Sequence, residues 1–149
     1  MRFVIQIVDR ARVDVEGVTS GEIDRGYLVF VGVGEGDSKE IADKMIKKLL
    51  GLRIFKDENG KINLSIGDVG GQILLVSQFT LYADCRRGNR PNFIQCAAPD
   101  YANELFEYIV SEIDKQGYKT GTGVFGAHMS VSLVNNGPFT VILDSADLK

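Results

Sequence analysis

Two largely apolar segments of strand length constrain the fold of this chain more than any other feature of its sequence. Residues 27–33 form a continuous apolar run, and residues 72–79 have an apolar centre, so each is predicted to be a buried strand. Between them, apolar residues at helical spacing follow a capping box of Asp37 with Glu40, and a second helical pattern begins at Pro99. The order of strands, helix, strands, helix and strands predicts an α+β fold, a mainly antiparallel sheet or half-barrel with two helices packed on it.

Shorter patterns predict the remaining strands. Residues 3–16 are predicted to form one long strand or two, and the turn at residues 57–60 is predicted to join two strands of a hairpin. Residues 127–134 and 139–143 are predicted to be the two final strands. The length fits a single domain over residues 1–149, and no repeat or linker interrupts it.

The charge and residue counts exclude several classes of protein. Lys and Arg total 17 against 20 Asp and Glu, a net charge of −3, so no DNA partner is expected and any RNA contact must be local. No apolar run approaches the roughly 18 residues of a membrane span, and no signal-peptide segment opens the chain, so we expect no membrane partner and a cytoplasmic location. Two cysteines, Cys85 and Cys96, and one histidine, His128, are too few for a four-ligand zinc site, so we expect reduced thiols and no metal.

Two glycine-rich segments match parts of phosphate-binding motifs. Residues 121–126 fit the G-x-G-x-x-G pattern of dinucleotide sites, but the predicted helix precedes this loop and a strand follows it, the reverse of the required order. Residues 32–37 have the required order but lack the third glycine, and Glu35 and Asp37 would repel a phosphate. Both segments are predicted to be plain turns, and no cofactor is expected.

One basic stretch and one histidine are candidates for function. The stretch that contains Arg86, Arg87 and Arg90 is either a solvated loop or a clamp for phosphate groups. Strand alternation places His128 on a polar surface. Without His128, no histidine remains to act as the base of a Ser-His-Asp or Cys-His site.

Two further segments carry unusual polar side chains. At the end of the second buried strand, alternation puts Phe79 and Leu81 on one face and Gln78 and Thr80 on the other. This strand end either receives a small planar group or returns to solvent. The segment at residues 135–140 is either a hairpin turn or a loop with a fixed backbone shape, since proline after Asn-Asn-Gly is unusual in a plain turn.

Taken together, these two segments identify a family. Ser77-Gln78-Phe79-Thr80-Leu81 and Asn135-Asn136-Gly137-Pro138-Phe139-Thr140 resemble the motifs of the D-aminoacyl-tRNA deacylases. The resemblance runs essentially end to end and includes residues 4–6, 51–55, 88–93 and 129–138. Either motif alone would be weak evidence, whereas both at this separation in a chain of this length are highly specific.

The resemblance implies a homodimeric hydrolase that frees tRNA from D-amino acids and from mischarged glycine, for example Gly-tRNA(Ala). It implies that Ser77, Gln78, Phe79 and Thr80 form the pocket for the terminal adenosine and its aminoacyl ester. It also implies that Gly137 and Pro138, joined by a cis bond, reach into the partner subunit's pocket and reject L-amino acids. The substrate-binding residues expected on this basis are Phe125, Met129, Gly137 and Pro138. RNA contacts are expected at Arg86, Arg87 and Arg90 because they form the only concentrated positive charge in the sequence. The chain departs from the family at Ile7, where arginine is usual, and at Phe139, where valine is commoner.

The expected mechanism needs no ionisable side chain. An aminoacyl ester is activated and has a ribose hydroxyl beside it, so a catalyst needs chiefly to orient water and stabilise an oxyanion. Thr80 has no base to activate it, so we expect backbone N–H groups near Phe79 and Thr80 to hold the oxyanion while the RNA hydroxyl assists, as the resemblance also implies. The alternatives are a non-catalytic module that binds the tRNA acceptor end and an enzyme that depends on Cys85 or Cys96.

Overall fold

Eight strands, two α-helices and two short 3₁₀ helices make up the computed structural model, which describes all of residues 1–149. The strands are β1 (Arg2–Val15), β2 (Val18–Ile23), β3 (Gly26–Gly32), β4 (Arg53–Lys56), β5 (Ile62–Ser65), β6 (Gln72–Ser77), β7 (Thr120–Thr122) and β8 (Ser130–Asp144). The α-helices are α1 (Lys39–Gly51) and α2 (Pro99–Lys115), and the 3₁₀ helices are Phe79–Tyr82 and Ser145–Asp147. None of the helices is long and apolar enough to cross a membrane.

The main sheet is built around the long strand β1. Its first half pairs with β3, its second half pairs with β2, and β8 runs antiparallel along its other edge. Beyond β3 the sheet continues through β6 and β7, which pair in parallel. The Ser20 hydroxyl on β2 donates to the Thr122 carbonyl on β7 at 3.1 Å, so the sheet curves until its far strands nearly close on each other. The predicted α+β half-barrel with two helices is confirmed.

The core lies between the helices and one face of this sheet. The apolar positions predicted for the second helix, Ala102, Leu105, Phe106, Ile109 and Ile113, are all buried there. A smaller cluster fills the curve of the sheet, where Val13 of β1 meets Leu28 of β3 and Val76 of β6. The packed core of helices and sheet therefore fixes the position of the residues that follow β6.

Three local predictions need correction. The cap of α1 is Ser38, whose side chain accepts the Ile41 N–H, and not Asp37. Asp37 is instead buried, where it accepts the Gly34 N–H at 2.7 Å and the Met1 amino group at 2.6 Å. Residues 127–129 lie outside any strand, and β8 is one strand with irregular pairing where two were predicted. The hairpin of β4 with β5 is confirmed.

Candidate active site

A cavity of about 700 Å³ opens where β6 ends and α2 begins. Its wall combines the end of β6, the segment before α2 and the loop that leads into β8. Ser77, Gln78, Phe79, Phe125 and Met129, predicted as site residues from two separate parts of the sequence, all line it. The remaining lining is mostly apolar and includes Val33, Val76, Phe93, Cys96, Ala97 and Ala102.

At the cavity wall, the chain changes sharply from strand to 3₁₀ helix after Ser77. β6 ends at Ser77, and the N–H of Leu81 donates to the carbonyl of Gln78 at 3.3 Å, which starts the 3₁₀ turn. The predicted alternation of Phe79 and Leu81 against Gln78 and Thr80 is therefore wrong, because it assumed a strand that continues past Ser77.

Gly32, the last residue of β3, and Gly34, just after it, explain why the chain can turn after Ser77. A Cβ atom on Gly32 would lie 2.9 Å from the Cβ of Leu81, and one on Gly34 would lie 2.6 Å from the ring of Tyr82. Only glycine at both positions lets the 3₁₀ helix pack this closely over the end of β3. These two glycines therefore serve packing.

The polar groups at the end of β6 are uncharged. The side-chain amide of Gln78 donates to the hydroxyl of Thr80. Thr80 itself is exposed and does not line the cavity. The N–H groups of Phe79 and Thr80 precede the first hydrogen bond of the 3₁₀ turn, so they have no acceptor within it. The end of β6 thus carries two backbone donors that the 3₁₀ turn does not use, next to an amide–hydroxyl pair.

Ionisable groups are scarce around the cavity. No carboxylate lines it, and His128 lies exposed at its rim. The thiol of Cys96 donates to the carbonyl of Phe79 at 3.4 Å, and burial raises the pKa of this thiol above its usual value. Both cysteines are free, as predicted. The chain places no group of three or more His, Cys, Asp or Glu side chains where they could hold a metal ion.

The side chain of Met129 packs in the cavity wall against Gly123, a glycine of the segment at residues 121–126. A Cβ atom on Gly123 would lie 2.5 Å from the sulfur of Met129, so glycine leaves the room that this side chain occupies. The G-x-G-x-x-G match is thus explained by packing beside the cavity.

The loop at Gly137 and Pro138 lies away from the chain's own cavity. Both residues are exposed, neither lines the cavity, and the peptide bond between them is cis. The side-chain amide of Asn135 fixes the base of the loop by donating to the carbonyls of Ile7 and Phe139 at 2.9 and 3.0 Å. Contacts within the chain therefore hold this loop in an exposed position.

The three arginines of the basic stretch differ in their surroundings. The guanidinium of Arg86 donates to both carboxylate oxygens of Asp84, at 2.9 and 2.7 Å, and holds the pKa of that carboxyl well below its usual range. Arg87 and Arg90 are exposed and form no salt bridge. Backbone bonds between Asp84 and Asn92 close the loop at its base. Its free positive charge therefore lies at Arg87 and Arg90.

Sequence reasoning missed Phe93 as a residue of the site and considered Cys96 only as the nucleophile of an alternative enzyme. The ring of Phe93 meets that of Phe79 edge to face, with centroids 5.0 Å apart. The segment that carries both residues is anchored to the end of β3, since the N–H of Ala97 donates to the Val33 carbonyl at 3.1 Å. The available signal was Phe93 itself, an aromatic residue beside a basic, proline-containing loop.

Comparison with known proteins agrees with this architecture. Residues 4–144 match the family model described as D-Tyr-tRNA(Tyr) deacylase. The D-aminoacyl-tRNA deacylases of Thermosipho africanus and Thermotoga petrophila are 54% and 53% identical, over 97% and 99% of both chains in each pair. A solved structure of the c-Myc DNA unwinding element binding protein has a TM-score of 0.90 at 36% identity, covering 97% of this chain and 98% of that one.

A second solved structure, of a probable eukaryotic D-amino acid tRNA deacylase, shares the fold at 21% identity. Its TM-score is 0.74, and the match covers 95% of this chain and 97% of that one. Because the family model spans nearly all of the sequence and relatives above 50% identity match it end to end, the chain belongs to the D-Tyr-tRNA(Tyr) deacylase family.

Proposed function

We propose that this protein hydrolyses the ester bond of D-aminoacyl-tRNA and releases tRNA and the D-amino acid. The observation that carries the proposal is the cavity at the end of β6, which gathers Ser77, Gln78 and Phe79 of one family motif beside Phe125 and Met129. Its mostly apolar wall suits a nucleoside and a side chain, and its polar groups suit an ester. The names of the relatives point to the same substrate.

The proposed mechanism uses backbone donors and the substrate's own hydroxyl. The N–H groups of Phe79 and Thr80 stabilise the oxyanion that forms at the ester carbonyl, and the neighbouring ribose hydroxyl assists attack by water. Thr80 positions these groups through its hydrogen bond with Gln78. The absence of any carboxylate from the cavity wall supports a mechanism without a side-chain base.

Chiral selection is assigned to the loop of Gly137 and Pro138 acting between two subunits. A pocket that accepts many D-side chains cannot contact each one, so selection must come from blocking the direction in which an L-side chain points. The loop is exposed and absent from its own cavity, which favours a role in closing the cavity of a second copy in a homodimer. Glycine has no side chain to block, so Gly-tRNA(Ala) is a substrate as well.

The remaining parts of the proposal concern RNA contact and location. Arg86, Arg87 and Arg90 lie in one loop close to Phe93 at the cavity mouth, where they can meet the backbone of the tRNA. One domain of residues 1–149 carries the whole activity, and translation places the substrate in the cytoplasm.

The test is to incubate the protein separately with D-Tyr-tRNA, L-Tyr-tRNA and Gly-tRNA(Ala) and to follow release of the amino acid. We expect cleavage of the D-tyrosyl and glycyl substrates at enzyme levels that leave L-Tyr-tRNA intact. Tight binding of D-Tyr-tRNA without any release would contradict the proposal and support a module that only binds the acceptor end.

A further inference from the structure

Exposed apolar side chains and free positive charge adjoin at one side of the cavity mouth. Phe79 is 55% exposed, Phe93 is 37% exposed and Ile94 is 79% exposed, so this apolar patch has no partner within the chain. Phe79 and Phe93 both line the cavity, and their edge-to-face contact holds the two rings at its rim. The patch therefore continues the cavity wall outward.

The loop with Arg87 and Arg90 begins where this patch ends. Backbone bonds of 2.8 and 3.0 Å between Asp84 and Asn92 close the loop, and Phe93 follows Asn92 directly. The N–H of Ile94 donates to the side chain of Asn92 at 3.3 Å, which fixes Ile94 beside the base of the loop. The chain thus brings rings, an aliphatic side chain and two uncompensated guanidinium groups together within a short segment.

The start of α2, which also lines the cavity, carries charge of the opposite sign. Asp100 is exposed in its first turn and forms no salt bridge, whereas Glu104 pairs with Lys39 at 3.6 Å. A polyanion that leaves the cavity is therefore repelled on the α2 side and attracted on the side of Arg87 and Arg90. Bases stack on exposed aromatic and apolar side chains, while phosphates pair with arginine.

We propose that Phe93 and Ile94 form a shelf on which the unpaired nucleotides before the terminal adenosine stack, while Arg87 and Arg90 hold their phosphates. The inference rests on the proposed function for the nucleoside in the cavity and extends it along the RNA. Arg86 has no part in the shelf, because Asp84 already occupies its guanidinium group. The occupant is single-stranded RNA, not a second copy of this chain.

The test compares a long and a minimal substrate, D-Tyr-tRNA and the D-tyrosyl ester of adenosine. In Ile94→Ser we expect the ratio of kcat/KM for D-Tyr-tRNA to kcat/KM for the adenosine ester to fall severalfold, because a base loses its aliphatic contact. The loss is smaller than the roughly tenfold or more that a base stacked on an aromatic ring contributes. Phe93→Leu should lower the same ratio. Ile62→Ser, which removes an exposed isoleucine on the distant hairpin of β4 and β5, should keep the wild-type ratio.

Other results would overturn the shelf. An unchanged ratio in Ile94→Ser, or an equal loss of kcat/KM on both substrates, contradicts the shelf. A change in the oligomeric state of Ile94→Ser, measured by sedimentation, also contradicts it, because it would assign the patch to a contact between copies of the chain. If the wild-type protein cleaves neither substrate, the proposed function fails. The shelf can then still be tested by measuring RNA binding alone. The RNA tetranucleotide ACCA should then bind at least about tenfold more tightly than adenosine monophosphate, and Ile94→Ser should reduce that difference. Equal affinities in the wild type would overturn it.

Discussion

The side-chain amide of Asn135 donates a hydrogen bond to the backbone carbonyl of Ile7, 2.9 Å away on the neighbouring strand β1. The same amide donates to the carbonyl of Phe139 at 3.0 Å, so one side chain ties both ends of the Gly137–Pro138 loop to the sheet. The acceptor at position 7 is a main-chain atom, which any residue supplies. The loop is therefore held although Ile7 stands where an arginine is expected.

Asn135→Ala should weaken this anchor and relax chiral selection. It leaves two part-buried carbonyls without their donor, which costs about 1–3 kcal/mol of unfolding free energy. We expect the ratio of D-Tyr-tRNA to L-Tyr-tRNA cleavage rates to fall about tenfold or more, equivalent to about 1.4 kcal/mol. Asn136→Ala is the matched control, because it removes only an exposed hydrogen bond to Asp9. A loss of stability with full selection in Asn135→Ala would show that the loop does not select.

Thr80→Ala should slow the reaction without abolishing it. Thr80 is exposed, and its hydroxyl accepts a hydrogen bond from the side-chain amide of Gln78, which cannot act as a base. We expect single-turnover rates on D-Tyr-tRNA to fall about tenfold, the scale of one lost hydrogen bond. Thr80→Ser should recover most of the rate. Complete loss in Thr80→Ala, together with an acyl-threonine intermediate trapped in the wild type, would establish Thr80 as the nucleophile.

Some parts of this site follow from the sequence and others do not. The burial of Leu105 and Ile109 could be predicted because helical periodicity is a local property of the chain. The end of β6 could not, because Ser77 is its last residue only when Leu81 and Tyr82 can pack onto Gly32 and Gly34, which are far away in sequence. Tertiary contact there overrides the alternation that the local sequence suggests.

The same reason explains why the place of Cys96 and Ala97 in the cavity wall escaped prediction. Nothing in their immediate sequence indicates a pocket, and they reach it through backbone bonds with the end of β3, such as Ala97 to Val33. Gln78 and Phe79, in contrast, could be assigned to the site from their motif alone. Motif resemblance finds residues that are neighbours in the sequence, whereas the other wall residues depend on how distant segments meet.

Cys96→Ala should retain turnover, which separates this protein from a cysteine-dependent hydrolase. The thiol donates its hydrogen bond to the Phe79 carbonyl and not to a base, and burial raises its pKa, so at neutral pH it is protonated and a poor nucleophile. Alkylation of wild-type protein should nevertheless block activity by filling the cavity, and Cys96→Ala should resist the block. Exposed Cys85 should react before Cys96 at neutral pH, and the rate for Cys96 should rise as pH increases. Loss of all turnover in Cys96→Ala would contradict the proposed mechanism.

Replacing both Arg87 and Arg90 by Gln should weaken tRNA binding and flatten its dependence on salt. Each arginine that neutralises a phosphate of single-stranded RNA contributes roughly 0.7 to the slope of log K against log salt. We expect the slope to decrease by up to about 1.4 for the double variant. Arg86→Gln should change it less, because Asp84 already pairs with that guanidinium group. Equal slopes in the wild type and the double variant would make this loop ordinary solvated surface.

Gly137→Ala provides the sharpest test of the loop as the chiral selector. Gly137 has φ +141°, which residues with a Cβ atom rarely adopt, and a Cβ atom there would lie 2.7 Å from the backbone nitrogen of Phe139. The backbone must therefore shift, and we expect D-Tyr-tRNA and L-Tyr-tRNA to be cleaved at more similar rates. Gly60→Ala is the matched control: its φ is +74°, nothing lies within 4 Å of an added Cβ, and it belongs to a distant turn. That variant should lose about 1–2 kcal/mol of stability and keep full selection. If Gly137→Ala keeps the oligomeric state of the wild type by sedimentation and still rejects L-Tyr-tRNA as the wild type does, selection must come from the wall of the cavity itself.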